Sequence, residues 1–237
     1  MKLLTALAFL SGLSTAVLAA DLGTVIFQDD FTRNESQEKT DEPGNGWGTN
    51  SKSRAKGDKQ VDLKDGAMRM YISPNANHAI SVTHPAEFTD GAVTLRFMLE
   101  DAQDSLGLDF ADLQCKEVHA GHLFAAKVNP KQVQLIDHKT GGMRLDIQET
   151  RTAKKPLSEE QKKAVAGKTK NVANDTAVGK WHDLQVTITG ETLSVAIDGK
   201  EAGSFSSPGM GHPTKKMLRL SVPRNAVVDD VRIYRKG

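Results

Sequence analysis

Along most of this chain apolar residues recur at every second position, and that period dictates strands with one dry face and one wetter face. Val93, Leu95, Phe97 and Leu99 alternate with Thr94, Arg96, Met98 and Glu100. Leu106, Leu108 and Phe110 repeat the pattern, and residues 123–128 and 133–137 flank Asn129-Pro130, which reads as a hairpin turn. Leu184, Val186 and Ile188 face Leu193, Val195 and Ile197 across Thr189-Gly190-Glu191-Thr192, and Asp198-Gly199 supplies the next turn. Residues 25–27, 67–72, 79–83, 217–222 and 227–234 bring the set to about ten or eleven short strands punctuated by Gly, Pro and Asn. The pattern predicts an all-β fold, a two-sheet antiparallel sandwich.

Two segments break the period. In the first, Ser158 precedes Gln161 by three residues, a capping-box signature, so one short lysine-rich surface helix is expected over about residues 157–172. In the second, residues 32–59 are polar and Gly-rich, with Trp47 set between Gly46 and Gly48, and read as a long loop. At the start of the chain Lys2, an apolar run over residues 3–10 and small residues up to Ala19 read as an export signal, residues 1–19. Residues 20–237 are then expected to form a single domain of an exported protein, periplasmic or extracellular. Cys115 is the only cysteine, which excludes an intramolecular disulfide and a thiolate metal cluster and suits a small buried hydrophobe. The 31 Lys and Arg face 30 Asp and Glu, and setting Lys2 aside makes this 30 against 30. Such a balance gives no electrostatic basis for nucleic acid or an acidic membrane as partner. A hydrophobic fraction of 38% excludes a transmembrane segment beyond the leader.

Five phrases carry a resemblance: Phe27-Gln28-Asp29-Asp30-Phe31; Gly91-Ala92-Val93-Thr94-Leu95-Arg96-Phe97; Val133-Gln134-Leu135-Ile136-Asp137; Gly179-Lys180-Trp181-His182-Asp183-Leu184-Gln185-Val186 with Ile197-Asp198-Gly199-Lys200; and Val228-Asp229-Asp230-Val231-Arg232-Ile233-Tyr234. In order and spacing they resemble a concanavalin A-like jelly roll, and more narrowly the 3-keto-disaccharide hydrolase (3-keto-glycoside lyase and hydratase) family. The resemblance implies two curved sheets, a small carbohydrate as partner on the concave one, and polar residues at alternate positions of its central strands. Arg96, Asp109, Lys127 and Gln134 are the expected ligand contacts, with His122 and His138 beside them. It also implies a structural calcium held where the terminal strands meet, with Asp30 and Asp229 as ligands. Paired aspartates at strand ends equally suit turn capping.

Glycoside hydrolysis by the usual route needs two carboxyl groups, one ionised and one protonated. The Glu-x-Asp-x-x-Glu strand of family-16 enzymes is absent, and Asp109 and Asp112, spaced by three, fall on opposite faces of a strand. A 3-keto sugar needs less, because the ketone acidifies the neighbouring C–H and elimination asks for a base and an electrophile. Asp137, His122 and His138 are the candidate bases, and Arg96 or Lys127 the charge stabiliser. His119 and His122 also offer a weak zinc spacing. Two Trp and two Tyr, with Trp181 and Tyr234 expected to pack at strand ends, leave only Trp47 and Tyr71 for stacking on sugars. That inventory suits a pocket for a mono- or disaccharide better than a polysaccharide platform. Three readings stand: an enzyme acting on small oxidised glycosides, a non-catalytic sugar-binding sandwich, and a structural or interaction sandwich.

Overall fold

A computed structural model describes residues 21–237; the expected export signal lies outside the described residues. The strands in chain order are β1 (Thr24–Asp29), β2 (Gly48–Thr49), β3 (Val61–Lys64), β4 (Ala67–Tyr71), β5 (Ile80–Phe88), β6 (Asp90–Met98), β7 (Leu106–Ala111), β8 (His122–Asn129), β9 (Gln132–Asp137), β10 (Thr169–Ala173), β11 (His182–Thr189), β12 (Thr192–Ile197), β13 (Lys200–Ser206), β14 (Lys215–Val222) and β15 (Asn225–Lys236). The larger sheet has eight strands, ordered β13-β12-β11-β6-β15-β4-β3 with β1 on β15. The smaller has seven, ordered β10-β9-β8-β7-β14-β5-β2. Pairing is antiparallel throughout, and the two-sheet antiparallel sandwich is the expected fold.

The alternation explains the layers. Val93, Leu95 and Phe97 of β6 and Leu184, Val186 and Ile188 of β11 turn inward from the larger sheet. Leu108 and Phe110 of β7, Val133 and Leu135 of β9, and Leu218 and Leu220 of β14 meet them from the smaller, in one continuous cluster. Phe110 stacks on Phe124 at 4.9 Å and meets Phe88 edge-on at 6.1 Å, geometries that add to the burial of three large rings. Turn chemistry sets the hairpins. Asp65 and Gly66, with φ of 56° and 68°, join β3 to β4, and the Asn129 side chain accepts from the Lys131 and Gln132 amides between β8 and β9.

Strand β8 carries one irregularity that matters for function. Phe110 pairs with Phe124 and Ala111 with His122, so one step on β7 spans two on β8, and Leu123 is the extra residue of a bulge. Leu123 and Phe124 are both fully buried, and His122 comes out on the same side as Lys127, five residues on, which strict alternation forbids. The bulge is fed by a turn in which Ala120 and Gly121 have φ of 49° and 71°. A Cβ on Gly121 would stand 2.5 Å from the Asp112 carbonyl oxygen. Gly121→Ala is therefore expected to destabilise the protein by about 1–3 kcal/mol, read as a drop in thermal midpoint, and to displace His122.

The helices are α1 (Ser51–Arg54), α2 (Leu145–Thr152) and α3 (Glu159–Val165). The capping box is present, with Ser158 and Gln161 bonding reciprocally, but the helix expected over about residues 157–172 is shorter than predicted. Gly167, at φ 69°, ends it, and Thr169–Ala173 pairs with the free edge of β9 as β10. A lysine-rich segment with few apolar residues gains more from an open row of backbone partners than from another helical turn. No helix among the described residues is long and apolar enough to cross a membrane.

Candidate functional site

Outward-facing positions of the smaller sheet line up in cross-strand rows. One row reads Ser81, Ser221, Gly107, Lys127, Gln134 and Asn171 from β5 to β10. The next reads Thr83, Arg219, Asp109, Ala125 and Ile136. Gly107 and Ala125 form a low floor between longer side chains, so a flat ligand can approach the strands there. Gln134 is steadied by a 3.0 Å bond to the Asn171 side chain.

Around Asp109 the polar groups converge. The His122 Nδ1 lies 2.6 Å from Asp109 Oδ2, and Arg219 Nη1 lies 3.4 Å from Asp109 Oδ1. Arg219 Nη1 is also 2.9 Å from His122 Nδ1 and 3.1 Å from Nε2. One ring nitrogen cannot donate to a carboxylate and accept from a guanidinium at once. The short contact to Asp109 assigns the proton to Nδ1, which leaves Nε2 as the lone-pair nitrogen facing Arg219. A buried carboxylate orienting an imidazole in this way makes the outer nitrogen a base. His138 meets the His122 ring edge-on at 5.8 Å and is only 9% exposed.

Burial pushes the His138 pKa down to about 4, with His122 and Lys127 adding to the shift and Asp109 and Asp137 opposing it. His138 is thus neutral at pH 7. Its folded value lies below the ordinary 6.5, so the stability it contributes is complete above pH 6.5 and is lost as pH falls towards 4. Unfolding free energies measured between pH 7 and 4.5 are expected to fall by roughly 2 kcal/mol on this account, and His138→Gln flattens that window.

The expected contacts Asp109, Lys127 and Gln134 and the candidate bases His122 and His138 share this outer face. Arg96 does not. It projects from β6 on the larger sheet, where it pairs with Asp229 at 3.2 Å and stacks over Trp181 at 4.8 Å, so it cannot serve chemistry at His122. Asp137 is also corrected. It shares the parity of Val133 and Leu135 and points inward, fully buried. Its Oδ2 takes bonds from Ser207 Oγ (2.5 Å), Thr140 Oγ1 (2.5 Å) and the Gly209 amide (3.0 Å), and its Oδ1 accepts from the Thr140 amide. Burial alone would raise its pKa, but these bonds outweigh burial and hold the carboxyl below the usual range. It anchors structure and is not a base facing a ligand.

Arg219 was not among the expected contacts, although Leu218, Leu220 and Val222 point inward and so send Arg219 and Ser221 outward. Among strand residues, a second outward carboxylate on this sheet is Glu87, near the end of β5. Four residues beyond Thr83 and two strands from Asp109, it stands roughly 16 Å away by strand spacing. Asp112 is turned aside to the His212 Nε2 at 3.3 Å. Among the described strand residues no second outward carboxylate stands at glycosidase separation from Asp109.

Asp30 Oδ1 accepts from the amide and hydroxyl of Thr32, while Asp229 bonds Arg96 and the Asp230 amide. Asp29 and Asp230 line the same cavity as Asp30, but among the described residues no three carboxylate oxygens come close enough there to share an ion, so the donor set suits turn capping better than a calcium. The one converging acid trio among the described residues, Glu35, Glu38 and Asp62, closes on the Lys59 ammonium at 2.8, 2.7 and 2.5 Å. The expectations for the two tryptophans reverse, while Tyr71 is exposed and Tyr234 half-buried, as expected. Trp47 is 7% exposed with its indole N–H on Asp29 at 2.8 Å, whereas Trp181 is 36% exposed.

No protein-family model matches the chain, and no curated protein does. Solved structures do. A non-specific endo-β-1,3(4)-glucanase of family GH16 is 13% identical over 90% of this chain and 91% of its own, with a TM-score of 0.57. The laminarinase from Rhodothermus marinus is 12% identical over 90% and 97%, also at 0.57. The carbohydrate-binding module CBM66 from Bacillus subtilis is 11% identical over 80% and 95%, at 0.51. At such identities the likeness is one of fold, the concanavalin A-like jelly roll.

Proposed function

We propose that this is an exported carbohydrate-active protein that opens small 3-keto glycosides by base-initiated elimination on the outer face of the smaller sheet. The observation that carries the reading is the Asp109–His122–Arg219 cluster, set beside Lys127 on a face without a paired second carboxylate. The glucanase, laminarinase and carbohydrate-binding module with the same fold support a sugar as ligand. The leader over residues 1–19 supports export.

In this reading His122 Nε2 takes the proton from C2, next to the C3 ketone, and Asp109 holds the resulting imidazolium. The electron pair moves onto the ketone oxygen, where Arg219, turned from its resting place on Nε2, meets the negative charge. As the carbonyl re-forms, the C1–O bond breaks, C1=C2 forms, and the Lys127 ammonium protonates the departing oxygen. The product is a 2-hydroxy-glycal 3-ketone, and addition of water at C1 yields the free 3-keto sugar. One base and two cations suffice, and His122, Arg219 and Lys127 supply them on this face.

Incubation of the purified mature protein with 3-keto-glucosides tests this. Released aglycone, with the unsaturated sugar or free 3-keto sugar, is expected. Sugar binding with neither turnover nor solvent exchange of the C2 proton selects the second reading, a non-catalytic binding module, which the uncharged polar side chains of Ser81, Ser221, Gln134 and Asn171 in the Lys127 row favour.

A further inference from the structure

The opposite face of the sandwich carries an open groove whose chemistry differs from that around His122. Strand β15 bulges between Asp229 and Arg232, and Asp230 in the bulge has φ 50°. Two open cavities of about 310 and 330 Å³ meet there and share Asp230 and Arg232 as lining. The first is walled by Asp29, Asp30, Arg33 and Asn45. The second lies over β6, β11 and β12, with Thr94 and Ala196 low on its floor and Arg96, Asp183 and Gln185 standing around it. Each is of the order that takes a small ligand, and together they form a two-part groove.

Three independent features favour a saccharide. The Asp183 carboxylate accepts no hydrogen bond and makes no ion pair among the described residues, which leaves two acceptor oxygens open to hydroxyl groups. Gln185 and Arg232 add donors at the same level. Trp181, immediately before β11, is 36% exposed, and the Arg96 guanidinium 4.8 Å over its ring fixes the indole beside the groove. A part-exposed indole held by Arg96 at the margin of a ring of mixed donors and acceptors matches the two sides of a sugar, its C–H face and its hydroxyls.

Charge selects the kind of sugar. Arg33 is neutralised by Asp29 at 2.6 Å, Arg96 by Asp229 at 3.2 Å and Arg232 by Asp230 at 3.4 Å. Asp30 and Asp183 are left without a cation, so the groove is net negative and disfavours uronates, sulfates and phosphates. We infer that the outer face of the larger sheet is a second carbohydrate-binding site, for a neutral di- or trisaccharide, independent of the His122 cluster.

Nitrogen-15 NMR of the mature protein titrated with cellotriose, maltotriose and laminaritriose tests it, with a glucuronate-containing trisaccharide as the anionic control. At least one neutral trisaccharide is expected to shift the Trp181 indole and Gln185 amide signals while the control does not. Trp181→Ala and Asp183→Ala, each checked for fold by circular dichroism, should weaken that binding tenfold or more by the remaining amide shifts, and His122→Ala should leave it in place. No shift with any neutral trisaccharide, binding that survives both groove substitutions, or binding lost with His122→Ala overturns the inference. Turnover of 3-keto-glucosides bears only on the other face, so either proposal can fail alone.

Discussion

Replacing His122 with alanine is expected to lower turnover of a 3-keto-glucoside by about 10²–10⁴-fold, the usual contribution of a positioned base. Its loss opens no core cavity but takes the 2.6 Å partner from the buried Asp109, so the thermal midpoint should fall by only a few degrees, far less than the fall in turnover. Asp109→Asn tests the partner. The amide keeps the shape, loses the charge that holds the imidazolium, and can present its N–H₂ to Nδ1, which favours the wrong tautomer. A fall in kcat similar to that of His122→Ala, with binding of the ketone nearly unchanged, is the expected pattern, because the dyad acts on the proton in flight more than on the bound sugar. Steady-state kinetics of both variants against the parent, with C2 deuterium exchange as an independent readout, decide the matter. Full exchange in His122→Ala would remove His122 from the chemistry.

Asp137→Ala is the substitution expected to damage folding most. It strips the acceptor from the Thr140, Ser207 and Gly209 donors in a dry site and leaves Lys168 Nζ, now 3.6 Å from Oδ2, without its carboxylate. Orphaning several buried donors costs about 3–5 kcal/mol, or roughly 10 °C in thermal midpoint for a domain of this size. The pH sign follows from the lowered pKa: the stabilisation is present above the unfolded value of 3.8 and disappears as pH falls through the lower folded value. Acid unfolding of the parent should therefore run ahead of that of Asp137→Asn when compared at equal starting stability, because the variant has no such contribution to lose. Turnover per folded molecule should survive Asp137→Asn, since the carboxyl faces the interior. Loss of kcat with intact stability would restore Asp137 as a base.

The period-two pattern made the sandwich legible because burial between two sheets leaves no other regular solution for alternating Val, Leu, Ile and Phe. Short strands with weak alternation escaped it. β3 has only Val61 and Leu63, β10 is held by pairing to β9, and β13 runs through Gly203. The site was half legible. Asp109, Lys127 and Gln134 follow from their strands' parity, and Arg219 followed as well but was left unread. Gln134 and Asp137 have opposite parity and cannot both face a ligand, a conflict visible before any coordinates, and the register of β9 with β8 resolves it against Asp137. Arg96 was misplaced for another reason. Alternation tells which residues of a strand share a side, but only strand order tells which of two sheets that strand joins.

Leu123 gives this fold a short route to new chemistry. If the same residues ran straight through with no bulge, β8 would alternate without interruption, Leu123 would take the place beside Asp109 and His122 would turn into the apolar interior. The acid–base dyad thus depends on where one strand holds its bulge as much as on the identity of any side chain. A slip of one residue at this bulge, with no residue of the sheet altered, exchanges the imidazole for a leucine on the outer face.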